Sequence, residues 1–451
     1  MVHTIDARIE KLKREIEEKL YGEDIRLEKI EKGLHEAVER TVAGIVSDYY
    51  EAIDESLRAD RKGRRSEGLS VVRRGDKRSV LTEIGEVNFR RTYYRKKDGK
   101  YVYPLDVIAG IEGYERISGG TSEALVKAAI RNSYEASSRE VTGGKVSKQT
   151  VMNRIRESEV PEEPSIERRK VRFLHIDADE DHVALQNGKK AIVPIISVYE
   201  GIERIGKRGR CINIFHRGSY GEDPEALWER VAIETDGKYD LRGTKVYIHG
   251  DGARWIKAGT EYFPGSTFVL DPYHKNKRIK EAVTGFGAEE GMLYEVMIRE
   301  SVKDKDRGQL MKIGKEMLRT HPESRKTICR SIGYLLENFD AITIRDTDEE
   351  AAGGGATEPH VSHCLSRRLS SRPMGWSEET LKAFVPVLAA GRCRIERKHP
   401  EQTAVMEKAA ARIRRKHLRG TLGLKDPEIQ AGAIVLDGRS TQLLRALKTY
   451  C

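Results

Sequence analysis

Carboxylates at the ends of apolar runs are the residues whose type and spacing most directly suggest chemistry. Residues 171–186 read VRFLHIDADEDHVALQ, an apolar stretch that meets acids and a histidine and then resumes its alternation. As an extended strand it would set Val171, Phe173, His175, Asp177 and Asp179 on one face, because side chains alternate with period two. A buried carboxylate needs a cation, a counter-charge or hydrogen bonds to offset its desolvation. Asp251 follows a second apolar run, and Glu358 opens a helix-spaced segment. Carboxylates from separate elements can hold two ions about 4 Å apart, on the attacking and leaving oxygens of phosphoryl transfer. Asp179 (or Asp177), Asp251 and Glu358 meet that need if strand ends and helix start converge; solvated strand ends are the plain alternative. Mg²⁺ is the expected ion for oxygen-only ligands, with Mn²⁺ as its substitute. His182, His274, His360 and His363 offer imidazoles for zinc, yet no thiolate pair or His-Glu-x-x-His accompanies them. Hydrogen-bonding or transition-state contacts suit them better, and His360 and His363, three apart, are expected to share a helical face.

Periodicity predicts the elements that must position these groups. Residues 191–199, 245–249 and 267–270 are β-type runs, 211–215 is a further candidate strand, and Pro224 opens a helix over 224–232. Strands that end on acids, with helices between some of them, imply an α/β core whose strand ends gather the site. Residues 289–339 carry helical spacing and no catalytic cluster, which predicts a helical insertion in that core. The glycine-rich stretch 351–357 leads to Glu358, and Pro359 must lie in the first turn of its helix or before it. A last helix is expected over 377–385, with Pro386 beyond it.

Ahead of the acids, Ile5, Ile9, Leu12, Ile16 and Leu20, then Leu27, Ile30, Leu34 and Val38, predict two amphipathic helices broken near Tyr21 and Gly22. Arg61, Arg64 and Arg65 in RKGRRS, followed by RRGDKR, form cation-dense stretches whose glycines permit flexible contact with phosphate. Residues 80–106 read as strands with a turn at Asp98-Gly99. There Arg91 could meet a nucleic-acid backbone and the tyrosines stack on bases, or the rings simply pack a small sheet. Ser147 caps a helix that buries Val151 and Ile155 and shows Lys148, Gln149, Asn153 and Arg156, after a turn at Gly143-Gly144. That suits a helix-turn-helix reader as well as an ordinary helix pair. The layout expected is a helical region over 1–60, a basic β-ribbon over 61–115 and a helical, helix-turn-helix-like region over 116–160. A linker over 157–165 then leads into the core, which spans 166–285 and 346–390 around an insertion at 286–345. A basic tail over 391–451, helical in part, closes the chain.

Composition narrows the class. The 451 residues hold 82 Lys plus Arg against 72 Asp plus Glu, an excess that favours a polyanionic partner. Five scattered cysteines without a Cys-x-x-Cys pair imply neither a zinc ribbon nor a disulfide framework, and suit a reducing compartment. A charged N-terminus and the lack of a long apolar run imply a soluble, cytoplasmic protein without a membrane partner.

Four stretches together resemble the ISLre2-type transposases, a group also described as the uncharacterised bacterial family UPF0236. They are DADEDHV at 177–183, GDGARWIK at 250–257, FVLDPYHKNK at 268–277, and the run from Glu358 through His363 to SRPMGW at 371–376. The resemblance spans nearly the whole chain. It implies a ribonuclease H-like catalytic core with a helical insertion, preceded by helical and small β DNA-binding regions. It also implies an acidic triad, of which Asp179 is the first member, Asp251 the second and Glu358 the third, holding Mg²⁺. The Asp271-Pro-Tyr-His274 segment is similar to the Cys/Asp-x-x-His signature of related transposases, which makes His274 an accessory residue. The implied activity is cleavage at the ends of an insertion sequence and strand transfer. Its partners are double-stranded DNA with terminal inverted repeats, target DNA and further copies of the chain on DNA. One departure stands out: proline follows Glu358 where glycine is expected, and Pro359 is expected to tilt the helix start and impair the enzyme. The rival readings are a related nuclease that does not join DNA, a non-enzymatic DNA-binding protein, and a structural or RNA-binding protein.

Overall fold

A computed structural model describes residues 2–22, 26–162, 167–206, 208–397 and 401–421. It has a mixed α/β architecture with several sheets, in two compact units: residues 1–118 with 398–451, and residues 119–397.

In the first unit, α1 (Val2–Leu20) and α2 (Leu27–Ala59) are the two amphipathic helices, separated at Tyr21-Gly22 as the spacing predicts. Arg8 grips Asp48 of α2 through two hydrogen bonds of 2.5 and 2.8 Å. RKGRRS is not a flexible loop: Arg61–Ser66 forms α3, capped by the Asp60 carboxylate on the Gly63 amide. RRGDKR is not one either. It lies in β1 (Ser70–Thr82), which pairs antiparallel with β2 (Gly85–Arg95) and takes up Gly75 (φ +74°) at a bulge between Arg73 and Asp76. Cross-strand pairing holds this charged run extended, which single-residue propensity does not anticipate. β3 (Tyr101–Val102) follows the turn at Asp98-Gly99, and α4 (Pro104–Ala109) starts on a proline. Ile53 and Leu57 of α2 bury against Val87 and Phe89 of β2.

The second unit begins with α5 (Gly119–Arg131), α6 (Tyr134–Thr142) and α7 (Lys148–Arg156). Gly143 closes α6 in the left-handed conformation, and the Ser147 hydroxyl caps α7 as expected. β4 (Ser158–Glu159) stands within the stretch expected to be a linker. Then come β5 (Phe173–Ala184), β6 (Lys190–Tyr199), the hairpin β7 (Ile202–Ile205) and β8 (Arg208–Cys211), and β9 (Phe215–Gly218). The strand expected over 211–215 is therefore two strand ends, parted where Asn213 turns to φ 52°. α8 (Pro224–Lys238) precedes β10 (Lys245–Gly250); two short helices, α9 (Arg254–Lys257) and α10 (Gly259–Tyr262), separate it from β11 (Thr267–Leu270). The five-stranded sheet runs β11-β10-β5-β6-β9: β10 and β11 are parallel to β5, and β6 and β9 alternate antiparallel. On one face Leu174, Ile176 and Ala178 bury against Leu227, Trp228 and Val231 of α8.

The insertion is helical throughout its regular part, with α11 (Pro272–Ala282), α12 (Ala288–Lys303), α13 (Arg307–Thr320), α14 (Arg325–Glu337) and α15 (Phe339–Thr343). Its apolar cluster includes Ile298, Leu310, Met317 and Leu335 and reaches Leu270 of β11. The chain returns through α16 (Glu349–Ala352), a glycine-rich loop, α17 (Thr357–Val361), a π-helical turn over Ser362–Ser366 and α18 (Arg367–Leu369). α19 (Glu378–Ala390) does not stop before Pro386 but runs through it. An internal proline costs about 3 kcal/mol, which burial of Leu381, Phe384, Val385, Val387 and Leu388 outweighs. β12 (Arg394–Ile395) pairs with β4, and α20 (Ala404–Thr421) belongs to the first unit, where Val405 and Met406 join its core.

Candidate active site

The sheet face opposite α8 is polar. β5 presents His175, Asp177, Asp179 and Asp181 there, all under 10% exposed. Tyr199 and Ser197 of β6, His216 of β9, and Tyr247 and His249 of β10 join them. The three aspartates alternate on one face, as period two requires, and their partners tell them apart. Asp177 accepts the Tyr199 hydroxyl (3.0 and 3.1 Å) and the Ala356 amide (2.7 Å). Asp181 accepts the Ser370 hydroxyl at 3.0 and 2.9 Å. Among the described residues Asp179 accepts only the adjacent Glu180 amide, at 2.8 Å. Asp177 and Asp181 are thus committed to holding chain in place, whereas Asp179 keeps acceptor capacity.

Register brings the second acid level with the first. β10 is parallel to β5 with His249 opposite Asp177, so two residues further on Asp251 stands beside Asp179. The Asp251 carboxylate accepts the Ala253 amide at 2.8 Å, and its carbonyl accepts the Tyr334 hydroxyl of α14. Gly252, at φ +86°, leaves room that a Cβ would take from the Asn338 amide, 2.7 Å away. Parallel pairing of Gly250 with Leu270 then sets Asp271 at the next strand end. Asp271, which sequence reasoning did not place in the acidic set, caps α11 through the Tyr273 amide at 2.7 Å and accepts the Thr357 hydroxyl. His274 lies in the first turn of α11, and its Nε2 is buried without a hydrogen-bond partner among the described residues.

The loop before Glu358 is pinned residue by residue. Arg345 donates to the carbonyls of Ala352 and Gly354 (2.9 and 3.0 Å), and the Gly355 amide donates to the Tyr199 hydroxyl at 2.9 Å. Gly354 must be glycine, because a Cβ would fall 2.3 Å from His175 Nδ1 and 2.5 Å from His249 Nε2. Those imidazoles meet at 3.0 Å; burial pushes His175 down to about 4 and His249 well below its usual range, so both are neutral. Pro359 is the third residue of α17, and the helix bond of His360 back to Ala356 is made at 3.2 Å. The amide that proline lacks is one of the unpaired first-turn donors, so Pro359 forfeits no bond of this helix. Nor do His360 and His363 share a face. His360 turns inward, 3.4 Å from Asp177 and 3.8 Å from Cys211, while His363 is exposed across the π turn.

Electrostatics ties the acids together. Burial first, then the charges of Asp251, Glu358 and Asp271, push the Asp179 carboxyl up to about 7. Burial likewise raises Asp177 to about 7. Charges from the ends of β10 and β11 and from the start of α17 therefore bear on one buried carboxyl of β5, with Glu358 the exposed member. The oxygen-only donor set suits a hard divalent cation. Among the described residues, however, no three His, Cys, Asp or Glu side chains stand close enough to hold a metal ion. A cleft of about 930 Å³ lies apart from the acids, lined by Arg217, Glu234, Lys382 and Pro386.

The cations expected to meet DNA divide into two groups. Arg61 and Arg65 are exposed on α3. Arg64 instead donates to the carbonyls of Leu57 and Arg58 (3.0 and 2.9 Å), and Arg91 is buried, paired with Asp106 and stacked 3.7 Å over Tyr103. Both are engaged by contacts within the fold. Tyr93 likewise stacks on Tyr101 at 5.2 Å. On α7, Lys148 is exposed and paired with Glu135 at 2.6 Å, and Gln149 and Asn153 are exposed and bonded to each other at 3.0 Å. Arg156 is turned to α19, bonding Thr380 and Glu379 at 2.9 and 2.8 Å. The described cysteines are unpaired, and no described helix is long and apolar enough to cross a membrane.

A family model described as an uncharacterised protein family, UPF0236, matches residues 20–404. A UPF0236 protein of Caldanaerobacter subterraneus subsp. tengcongensis whose name carries eleven locus labels, from TTE0033 to TTE2212, is 39% identical over 340 residues, 74% of this chain and 71% of that protein. Another from the same organism, with four labels, is 37% identical over 355 residues, 77% of this chain and 74% of its own length. A UPF0236 protein in the vanSb 3′ region of Streptococcus gallolyticus is 27% identical over 344 residues, 71% of this chain and 74% of that protein.

Proposed function

We propose that this chain, which belongs to the UPF0236 family, is a DDE-type transposase that cuts DNA at the ends of an insertion sequence and joins them to a target. One observation carries the reading: the parallel register of β10 on β5 sets Asp251 level with the buried Asp179, and the charges of Asp251, Glu358 and Asp271 all bear on that carboxyl. The five-stranded sheet is taken as a ribonuclease H-like core. Its support is a central β5, antiparallel β6 and β9 on one side, and parallel β10 and β11 on the other. A relative whose single name carries eleven locus labels is what copying within a genome would produce.

In this reading Asp179, Asp251 and Glu358 are the catalytic acids and His274 stands beside them. Mg²⁺, with Mn²⁺ as substitute, is the proposed cofactor on the chemistry of the donors alone, because three of them do not meet around one point. The reaction is hydrolysis of a phosphodiester at the element's end, then in-line attack of the freed 3′-hydroxyl on target DNA. Arg61, Arg65 and Lys148 offset phosphate charge, and Gln149 and Asn153 of α7 face base edges at the terminal repeats. The protein acts as an oligomer on DNA in the bacterial cytoplasm, at the nucleoid when bound. The unassembled acids favour one second reading, a DNA-binding protein without cleavage. A gel assay with a duplex carrying the element's end separates the two. Asp251→Asn is expected to abolish Mg²⁺-dependent nicking and strand transfer while leaving binding intact; undiminished transfer by the purified variant would remove Asp251 from the site.

A further inference from the structure

Glu358 is the exposed acid of the set, and what fixes it is therefore decisive. The loop before it is anchored at successive positions by Arg345, Tyr199 and Asp177. The last anchor, immediately before Glu358, is the Thr357 hydroxyl on the Asp271 carboxylate, both residues being under 4% exposed. Asp271 has each oxygen engaged, Oδ1 by the Tyr273 amide and Oδ2 by Thr357. It is thus occupied in a way that Asp179 is not.

We infer that Asp271 is a positioning residue: by holding the Thr357 hydroxyl it fixes the first turn of α17 and with it the place of Glu358. The inference rests on the proposed function for its catalytic consequence, though not for its structural one. α17 spans only five residues and passes directly into a π turn, so little within the helix itself holds its start. A buried hydroxyl–carboxylate bond in a low-dielectric setting is strong and directional. β11 therefore delivers an acid whose work is to seat another acid.

The test uses the full chain and two substitutions at one position. Thr357→Val keeps the shape and deletes the hydroxyl; Thr357→Ser keeps the hydroxyl. Hydrogen exchange of the segment 353–369, followed by mass spectrometry, is expected to speed up at least several-fold in Thr357→Val and to stay near wild type in Thr357→Ser. Nicking of the end duplex in Mg²⁺ is expected to lose kcat by about 10- to 100-fold in Thr357→Val, with KM for DNA unchanged and Thr357→Ser restoring most of the rate, since a shift of about 1 Å can cost 100-fold. Wild-type exchange in Thr357→Val overturns the inference whatever the chain does to DNA. Faster exchange with undiminished kcat overturns its catalytic half. A wild-type chain that never nicks the duplex counts against the proposed function instead, and exchange alone then decides whether Asp271 seats α17.

Discussion

Asp177 and Asp179 differ by one turn of the pleat, yet the fold gives them separate work. Asp177 is consumed by Tyr199 and by the Ala356 amide, whereas Asp179 stands among three other acids. Replacing Asp179 removes a desolvated, repelled charge, so Asp179→Asn is expected to raise the melting temperature of metal-free protein at pH 7.5, by on the order of 1 kcal/mol in stability, while ending nicking. Asp177→Asn should do the reverse and destabilise by about 1–3 kcal/mol, since it disturbs two buried hydrogen bonds. Scanning calorimetry of the pair checks both signs, and a stabilised Asp177→Asn would remove its structural role. Histidines add a pH dependence. Burial holds His216 down to about 4, so the unfolded chain takes up a proton below about 6.5 that the folded one refuses. That contribution to stability is complete above about 6.5 and is lost as pH falls toward 4. Asp177 and Asp179, raised to about 7, act in the opposite sense across that whole window. His216→Gln isolates the histidine contribution and is expected to flatten the acid limb of a melting-temperature profile; an unchanged limb would contradict it. Period two made the acidic face legible in the sequence. Ranking its members was not, because the deciding partner of Asp177 lies 179 residues away.

The strands β6, β10 and β11 fall within a residue of their sequence reading, because β-branched runs bounded by Gly, Asp and Pro leave little choice of ends. Elements set by tertiary context were less legible. RRGDKR is held as strand by its pairing with β2, and α19 passes through Pro386 because its apolar face, from Leu381 to Ala389, is buried. The start of α17 is a further such case. Since Pro359 forfeits no helix bond there, Pro359→Gly is expected to leave nicking within about twofold and to lower stability slightly through chain entropy. A large gain in nicking would show that the proline does impair the site. Gly354→Ala is the sharper probe of the preceding loop. Its Cβ would meet His175 and His249 at 2.3 and 2.5 Å, and a loss of about 1–3 kcal/mol is expected by urea denaturation. A neutral effect would mean that the loop does not pack on the buried imidazoles.

At the scale of the molecule, a basic chain folds into two units, one bearing a ribbon and long helices, the other the polar-faced sheet with α5–α7 before it. The charge excess was legible from composition, but which cations stay exposed was not: Arg64 and Arg91 are engaged within the fold, while Arg61, Arg65 and Lys148, the last paired with Glu135, lie at the surface. The claim that joins sheet, acids and charge is phosphodiester chemistry on DNA ends. Its most direct measurement incubates the purified full chain with Mg²⁺ and a duplex carrying the terminal repeat beside the encoding gene, together with target DNA, and compares it with Asp179→Asn. The account predicts Mg²⁺-dependent nicks at the repeat and joined products from the wild type, with neither from the variant although both bind the duplex equally. Nicking and joining that persist in Asp179→Asn, or wild-type protein that binds the repeat in Mg²⁺ or Mn²⁺ and leaves it intact, would contradict it.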